Sequence, residues 1–275
     1  MSDNELSFFC PCGVSQSQSS GFEAQVFEQP LNERVRTFLR LEFLFLQHAH
    51  HAADETPFGA RARLSALLDL LTVLGRSDLK KDILKELLDQ HATLTRLSHR
   101  PGIDQSRLGQ VLDEITAVVD GLQQLAQRLS ANTLRDNEFL IAIMNRSTIP
   151  GGTCGFDLPA YHHWLSQGMT VVREDMDRWF ADIQAYATGV ELYLRLLRGS
   201  TQMSQAVARN GSYVHAPQGP CNLLRVFIPQ QTQVYPEISA GAHRFTLRFM
   251  KMADVNQRCA QTNQDIAFGL QCCAL

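Results

Sequence analysis

The sequence predicts an α+β protein, with an N-terminal domain that is mainly α-helical followed by a smaller antiparallel β-sheet domain. Three observations carry this expectation. Apolar residues recur at helical spacing, punctuated by cap and breaker residues, from Asn32 to Leu197. Beyond Gly199 the runs become short, β-rich and bounded by proline and glycine. Charge divides at the same place: after Gly199, Arg209, Arg225, Arg244, Arg248, Lys251 and Arg258 stand against Glu237, Asp254 and Asp265, so this part carries +3 of a total of −3 and the rest −6.

The layout that follows is a disordered extension over 1–21, a helical domain over 22–199 in which 22–28 can join the sheet as a strand, and a β domain over 200–275. The extension is assigned from its Ser, Gln and Gly content and its lack of apolar periodicity. Phe22 to Phe27 can form a strand that Pro30 breaks. Asn32 then caps a helix through Val35, Phe38, Leu39, Phe45 and Leu46. Thr56-Pro57 reads as a cap followed by a first-position proline, and that helix stops at Gly75. A helix over Asp78 to Leu97 ends before Pro101-Gly102, Asp104 caps the run through Leu122, and Thr133-x-x-Asp136 is a loose capping box for a helix to Met144. The breaker Ile149-Pro150-Gly151-Gly152 precedes a short helix from Asp157 to Leu165 and one long helix ending near Leu197. The strands expected beyond it are Leu224 to Ile228, Gln233 to Tyr235, His243 to Met250 and Asp265 to Leu270, in one antiparallel sheet.

Bulk properties exclude several classes. With 275 residues and 44% hydrophobic content the chain can bury one or two cores. A net charge of −3 gives no global field for nucleic acid or an anionic membrane. No stretch approaches the roughly 18 apolar residues of a membrane span, and the start lacks a basic signal region, so a cytoplasmic protein is expected. Seven cysteines are an odd number scattered through a large chain, and reduced thiols are expected.

The sharpest local pattern is His243-Arg244-Phe245-Thr246-Leu247-Arg248-Phe249-Met250. In a strand, Phe245, Leu247 and Phe249 take one face and Arg244, Thr246 and Arg248 the other. The two arginines then stand about 13 Å apart, a spacing that suits two carboxylates of an acidic peptide. An ordinary solvated face is the competing interpretation.

Three other constellations are weaker. Cys154 in Gly152-Thr153-Cys154-Gly155, with His162 and His163 downstream, outlines a cysteine-dependent hydrolase or transferase, yet nothing supplies an oxyanion hole or an orienting third group. His48 and His51 can share a helix face and hold a metal, but equally complement a helix C-terminus. Cys10-Pro11-Cys12 and Cys272-Cys273 lack the two-residue spacer of zinc knuckles. No phosphate loop, dinucleotide fingerprint or zinc-protease motif occurs. The expectation is a protein with no catalytic residues, metal or cofactor.

Several segments together resemble one family, the bacterial cell-division accessory proteins called ZapD. They are Val26-Phe27-Glu28-Gln29-Pro30-Leu31-Asn32-Glu33, Arg40-Leu41-Glu42-Phe43-Leu44, Leu84-Lys85-Glu86-Leu87, Pro101 to Arg107, Ile149 to Gly152, Phe156 to Pro159, Tyr235 to Ser239, Arg244-Phe245, Arg248-Phe249-Met250 and Cys272-Cys273. The resemblance spans nearly everything from Phe22 onward; residues 1–21 have no counterpart in it, and Ala274-Leu275 extend past the cysteine pair. It implies a non-enzymatic cytoplasmic homodimer at the mid-cell division ring that binds the C-terminal tail of the tubulin-like protein FtsZ and bundles its filaments in septation. It places the partner-binding arginines on Arg244 and Arg248 and, by a looser neighbourhood after Leu71-Thr72-Val73-Leu74-Gly75, on Arg76.

Overall fold

Side-chain caps set several of the helix starts in this computed structural model, which describes residues 24–75, 78–98, 102–128, 134, 136–217, 219–230, 232–241 and 244–275. Asn32 Oδ1 accepts the Val35 N–H (2.8 Å) at the start of α1 (Glu33–His50). Thr56 Oγ1 accepts the Gly59 N–H (3.0 Å) at α2 (Pro57–Leu74), whose first residue is the proline. Asp104 Oδ1 accepts the Arg107 N–H (3.1 Å) at α4 (Gln105–Arg128), which follows α3 (Leu79–Leu97). Each such cap contributes about 1 kcal/mol by satisfying an N–H that no helical carbonyl can reach. For α5 (Glu138–Ser147) the cap is Asn137, whose Oδ1 accepts the Leu140 N–H (3.1 Å), and not the expected box from Thr133. Thr133 and the extension over 1–21 lie outside the described residues.

The last helices differ from expectation. The short one, α6, spans Pro159–Ser166 with Leu158 at the cap, so Asp157 sits before it. The single long helix is two, α7 (Met169–Ala181) and α8 (Gln184–Gly199). At the break Ile183 N–H donates to Phe180 O (2.9 Å) and Tyr186 N–H to Ile183 O (3.0 Å), tighter bonds spanning three residues. Such a turn keeps the phase of the buried positions Val172, Met176, Ile183, Ala187, Val190 and Leu194, so periodicity alone cannot show the break.

The described residues divide into two units, one over 40–193 and the other over 24–39 with 194–275. The first is helical, and its core includes Leu64, Leu67, Leu70, Ile83, Leu87, Ile115 and Leu122. Gly189 allows a close approach there: a Cβ would stand 2.9 Å from Ile83 Cγ2 and 3.2 Å from Leu122 Cδ1.

The second unit carries two antiparallel sheets in place of the one expected. The first sheet orders β1 (Ala24–Pro30), β4 (Leu223–Pro229), β8 (Ile266–Cys273) and β2 (Ser204–Ala208). The second orders β3 (Ser212–His215), β6 (Phe245–Lys251) and β5 (Val234–Ala240), with the short β7 (Ala260–Gln261) also on β6. Pro30, the expected breaker, is the last residue of β1, an edge strand, where its missing N–H costs no ladder bond. The sheets share a core of Leu224, Val226, Ile228, Phe268 and Leu270 from the first and Phe245, Leu247 and Phe249 from the second. Each large apolar side chain fully buried there contributes about 1.5–3 kcal/mol.

The strands β2, β3 and β7 were not expected. A turn at Asn210 (φ +49°) and Gly211 (φ +69°), closed by Ser212 N–H donating to Arg209 O (2.9 Å), carries the chain from β2 in one sheet to β3 in the other. Gly211 is required twice over, since a Cβ would also lie 2.3 Å from Thr262 O.

Candidate functional site

Strand β6 has the alternation expected of it. Phe245, Leu247 and Phe249 are buried, Arg248 is exposed and Thr246 and Met250 are intermediate. Arg244 precedes the strand, is exposed, and continues its ladder by one pair, because Gly241 N–H donates to Arg244 O (2.9 Å). Pairing register extends this face sideways. Ser212 and Glu237 flank Arg248, Val214 and Ser239 flank Thr246, and Tyr235 lies beside Met250.

Arg248 is not alone on the face. Its Nη2 donates to Glu237 Oε2 at 3.4 Å, both side chains being about half exposed. Glu237 is the site residue that the sequence reading missed; its signal was an acid in a β-rich run, but only register puts it opposite Arg248. Tyr235 shares the face, and its pKa is raised by a hydrogen bond with the Cys259 thiol. Among the described residues Arg244 has no ion pair. Arg76 lies outside the described residues.

Several of the arginines near and after Gly199 are paired internally. Arg209 pairs with Asp265. Arg225 Nε donates to Glu28 Oε1 (2.8 Å), Arg198 Nη2 donates to Glu28 Oε2 (2.8 Å), and Arg225 Nη1 reaches Gln271 Oε1 (3.0 Å). Burial alone would raise the Glu28 pKa, but the two guanidiniums outweigh it and hold the carboxyl below its ordinary value. This network ties β1, β4, β8 and the end of α8 together; it is structural.

The other candidates are not assembled into sites. The Cys154 thiol hydrogen-bonds Asp157 Oδ2 (3.5 Å), a carboxylate and not an imidazole. His163 Nε2 is bonded to Gln167 Nε2 (3.1 Å). His48 is 2% exposed and stacks on Phe180 at 4.2 Å, which packing and not metal binding explains. Burial, reinforced by the charge of Arg63 and opposed by Asp177, lowers its pKa to about 3. His50 and His51 meet edge to face. No group of three or more His, Cys, Asp or Glu suited to a metal occurs among the described residues. Cys272 is hydrogen-bonded with Cys221, which raises the Cys221 pKa and lowers that of Cys272; Cys10 and Cys12 lie outside the described residues. Among the described residues no helix is long and apolar enough to cross a membrane.

Together these features define an α+β protein with a helical unit and a two-sheet unit that turns a row of charged and polar side chains outward. The profile of the ZapD family, described as cell division protein, matches residues 39–248. Relatives called cell division protein ZapD are 38% identical over 250 residues in Azoarcus sp. (strain BH72), covering 90% of this chain and 99% of the relative. In Chromobacterium violaceum the figures are 37% over 248 residues, 90% and 98%. In Coxiella burnetii they are 35% over 252 residues, 90% and 97%. The chain belongs to the ZapD family of cell-division proteins.

Proposed function

We propose that this protein binds the acidic C-terminal tail of FtsZ through the outward face of the β3-β6-β5 sheet and, as a homodimer with two such sites, crosslinks and bundles FtsZ filaments at the cytoplasmic division ring. The observation that supports it best is the row Arg244, Thr246 and Arg248, held outward by the buried Phe245, Leu247 and Phe249. A rigid strand keeps the two arginines a fixed distance apart, so tail carboxylates can pair with both without the protein losing much freedom. Apolar tail residues rest on Tyr235 and Met250 at the other end of the face. Arg76 adds a third basic contact on the strength of the family resemblance. Two weak sites per dimer bridge adjacent filaments by raising effective concentration, so no single contact needs to be tight. The protein acts by binding, not catalysis.

Co-sedimentation with FtsZ polymer tests this reading. Wild-type protein is expected in the pellet, and an Arg244→Ala/Arg248→Ala double variant in the supernatant. Wild-type co-pelleting by the folded variant removes the assignment.

A further inference from the structure

We infer that the acidic peptide binds as an added β-strand along the free edge of β5. The inference rests on the reading that Arg244 and Arg248 take an acidic tail, and goes beyond it by assigning the backbone groups that hold the peptide.

Register identifies those groups. Strand β5 ends the order β3-β6-β5, so among the described residues one of its sides has no strand beside it. Met252 N–H donates to Gln233 O (3.0 Å) and Gly241 N–H to Arg244 O (2.9 Å), which fixes both ends of the β5–β6 ladder. Between them, antiparallel alternation directs the backbone of Tyr235, Glu237 and Ser239 toward β6 and that of Pro236, Ile238 and Ala240 away from it. Pro236 therefore stands at an outward position, where it removes no ladder bond. The N–H groups and carbonyls of Ile238 and Ala240 form the edge that a peptide backbone can meet, whereas Pro236 is buried. Glu237, Ser239 and Ala240 are exposed.

Proline and an acid on an edge strand also serve to discourage pairing with another sheet. Here they limit pairing without abolishing it, because the two outward donors after Pro236 remain. The charges favour an acidic occupant. Arg248 already reaches from β6 to Glu237 on β5, and a new strand would lie only about 4.8 Å further on. Opposite Arg244 stands Gly241, which has no side chain between that guanidinium and the edge. An extended acidic segment added here places alternate side chains on the arginine face while its backbone completes the sheet, so main-chain bonds supply affinity and the arginines select for acid.

Backbone methylation tests this. A labelled FtsZ tail peptide is titrated with the full-length protein by fluorescence anisotropy, alongside two versions N-methylated at alternate residues in opposite phases. An added strand uses only every second N–H, so one phase should lose affinity about tenfold or more while the other binds like the parent. Ala240→Pro, which removes an outward N–H and no ladder bond, should cost about tenfold with an unchanged circular dichroism spectrum. If both phases bind equally well or equally badly, the peptide is not an edge strand, and arginine-dependent binding of the parent then leaves the functional reading standing. If the unmodified peptide does not bind, the functional reading itself falls and the inference with it.

Discussion

Arg248 and Glu237 face each other across the β5–β6 ladder, the Nη2 of one 3.4 Å from the Oε2 of the other. Both are about half exposed, so the pair contributes no more than about 1 kcal/mol. On the proposed binding face the acid competes with the ligand for the arginine. Glu237→Gln should therefore tighten binding of an acidic tail peptide about threefold, measured by anisotropy, and the gain should vanish in an Arg248→Ala background. A gain that survives there would show that Glu237 acts by some other route.

Removing both arginines should abolish binding without harming the fold. Their side chains are exposed, and surface substitutions of this kind change stability within about 0.5 kcal/mol. The double Ala variant is expected to melt within about 2–3 °C of wild type while losing FtsZ co-pelleting. Reduced co-pelleting that simply tracks a lowered melting temperature would point to unfolding instead.

Binding should also weaken with salt, because the pairs are solvent-accessible and the screening length falls from about 10 Å at 0.1 M to about 3 Å at 1 M. The loss of affinity across that range is expected to be steeper for wild type than for Arg248→Ala. Equal slopes would remove Arg248 from the contact.

Glu28 predicts an acid limit to stability. Its carboxylate is held by Arg198 and Arg225, and its folded pKa lies below the ordinary value of 4.5. A depressed acid stabilises fully above its unfolded pKa and loses that contribution as pH falls through the folded one. Glu28→Gln, which leaves two largely buried guanidiniums without their carboxylate, should destabilise by about 3 kcal/mol at neutral pH, with the difference from wild type shrinking below pH 4.5 in denaturant titrations.

His48 predicts a second pH dependence, at a higher pH. Its folded pKa of about 3 lies below the ordinary 6.5, so the unfolded chain binds the extra proton between these values and stability rises with pH across that window. Stability present above pH 6.5 should have fallen by about 2 kcal/mol at pH 5. His48→Phe, which keeps the stacking on Phe180, should flatten the profile between pH 5 and 7; a variant profile parallel to wild type would assign the dependence to another group.

Capping was legible where a single residue decides it. Asn32, Thr56 and Asp104 each cap the helix expected of them, because an N-cap depends on contacts within three residues. The α7–α8 break was hidden because a tight turn conserves the phase of the buried residues. The β2–β3 connection was readable in principle from Asn210-Gly211, a pair suited to two successive positive φ values. The strands on either side are short and mix exposed with half-buried positions, and that gave no matching signal.

The sequence by itself determined that Phe245, Leu247 and Phe249 point one way and Arg244 and Arg248 the other, because alternation is a property of any single strand. It also determined that, after an N-terminal strand, the helices precede the remaining strands, and the family. Tertiary structure decided which residues stand beside the arginines. Glu237 opposite Arg248, Gly241 opposite Arg244 and a free edge on β5 all follow from register and strand order, which join residues remote in the chain and leave no local periodicity to read.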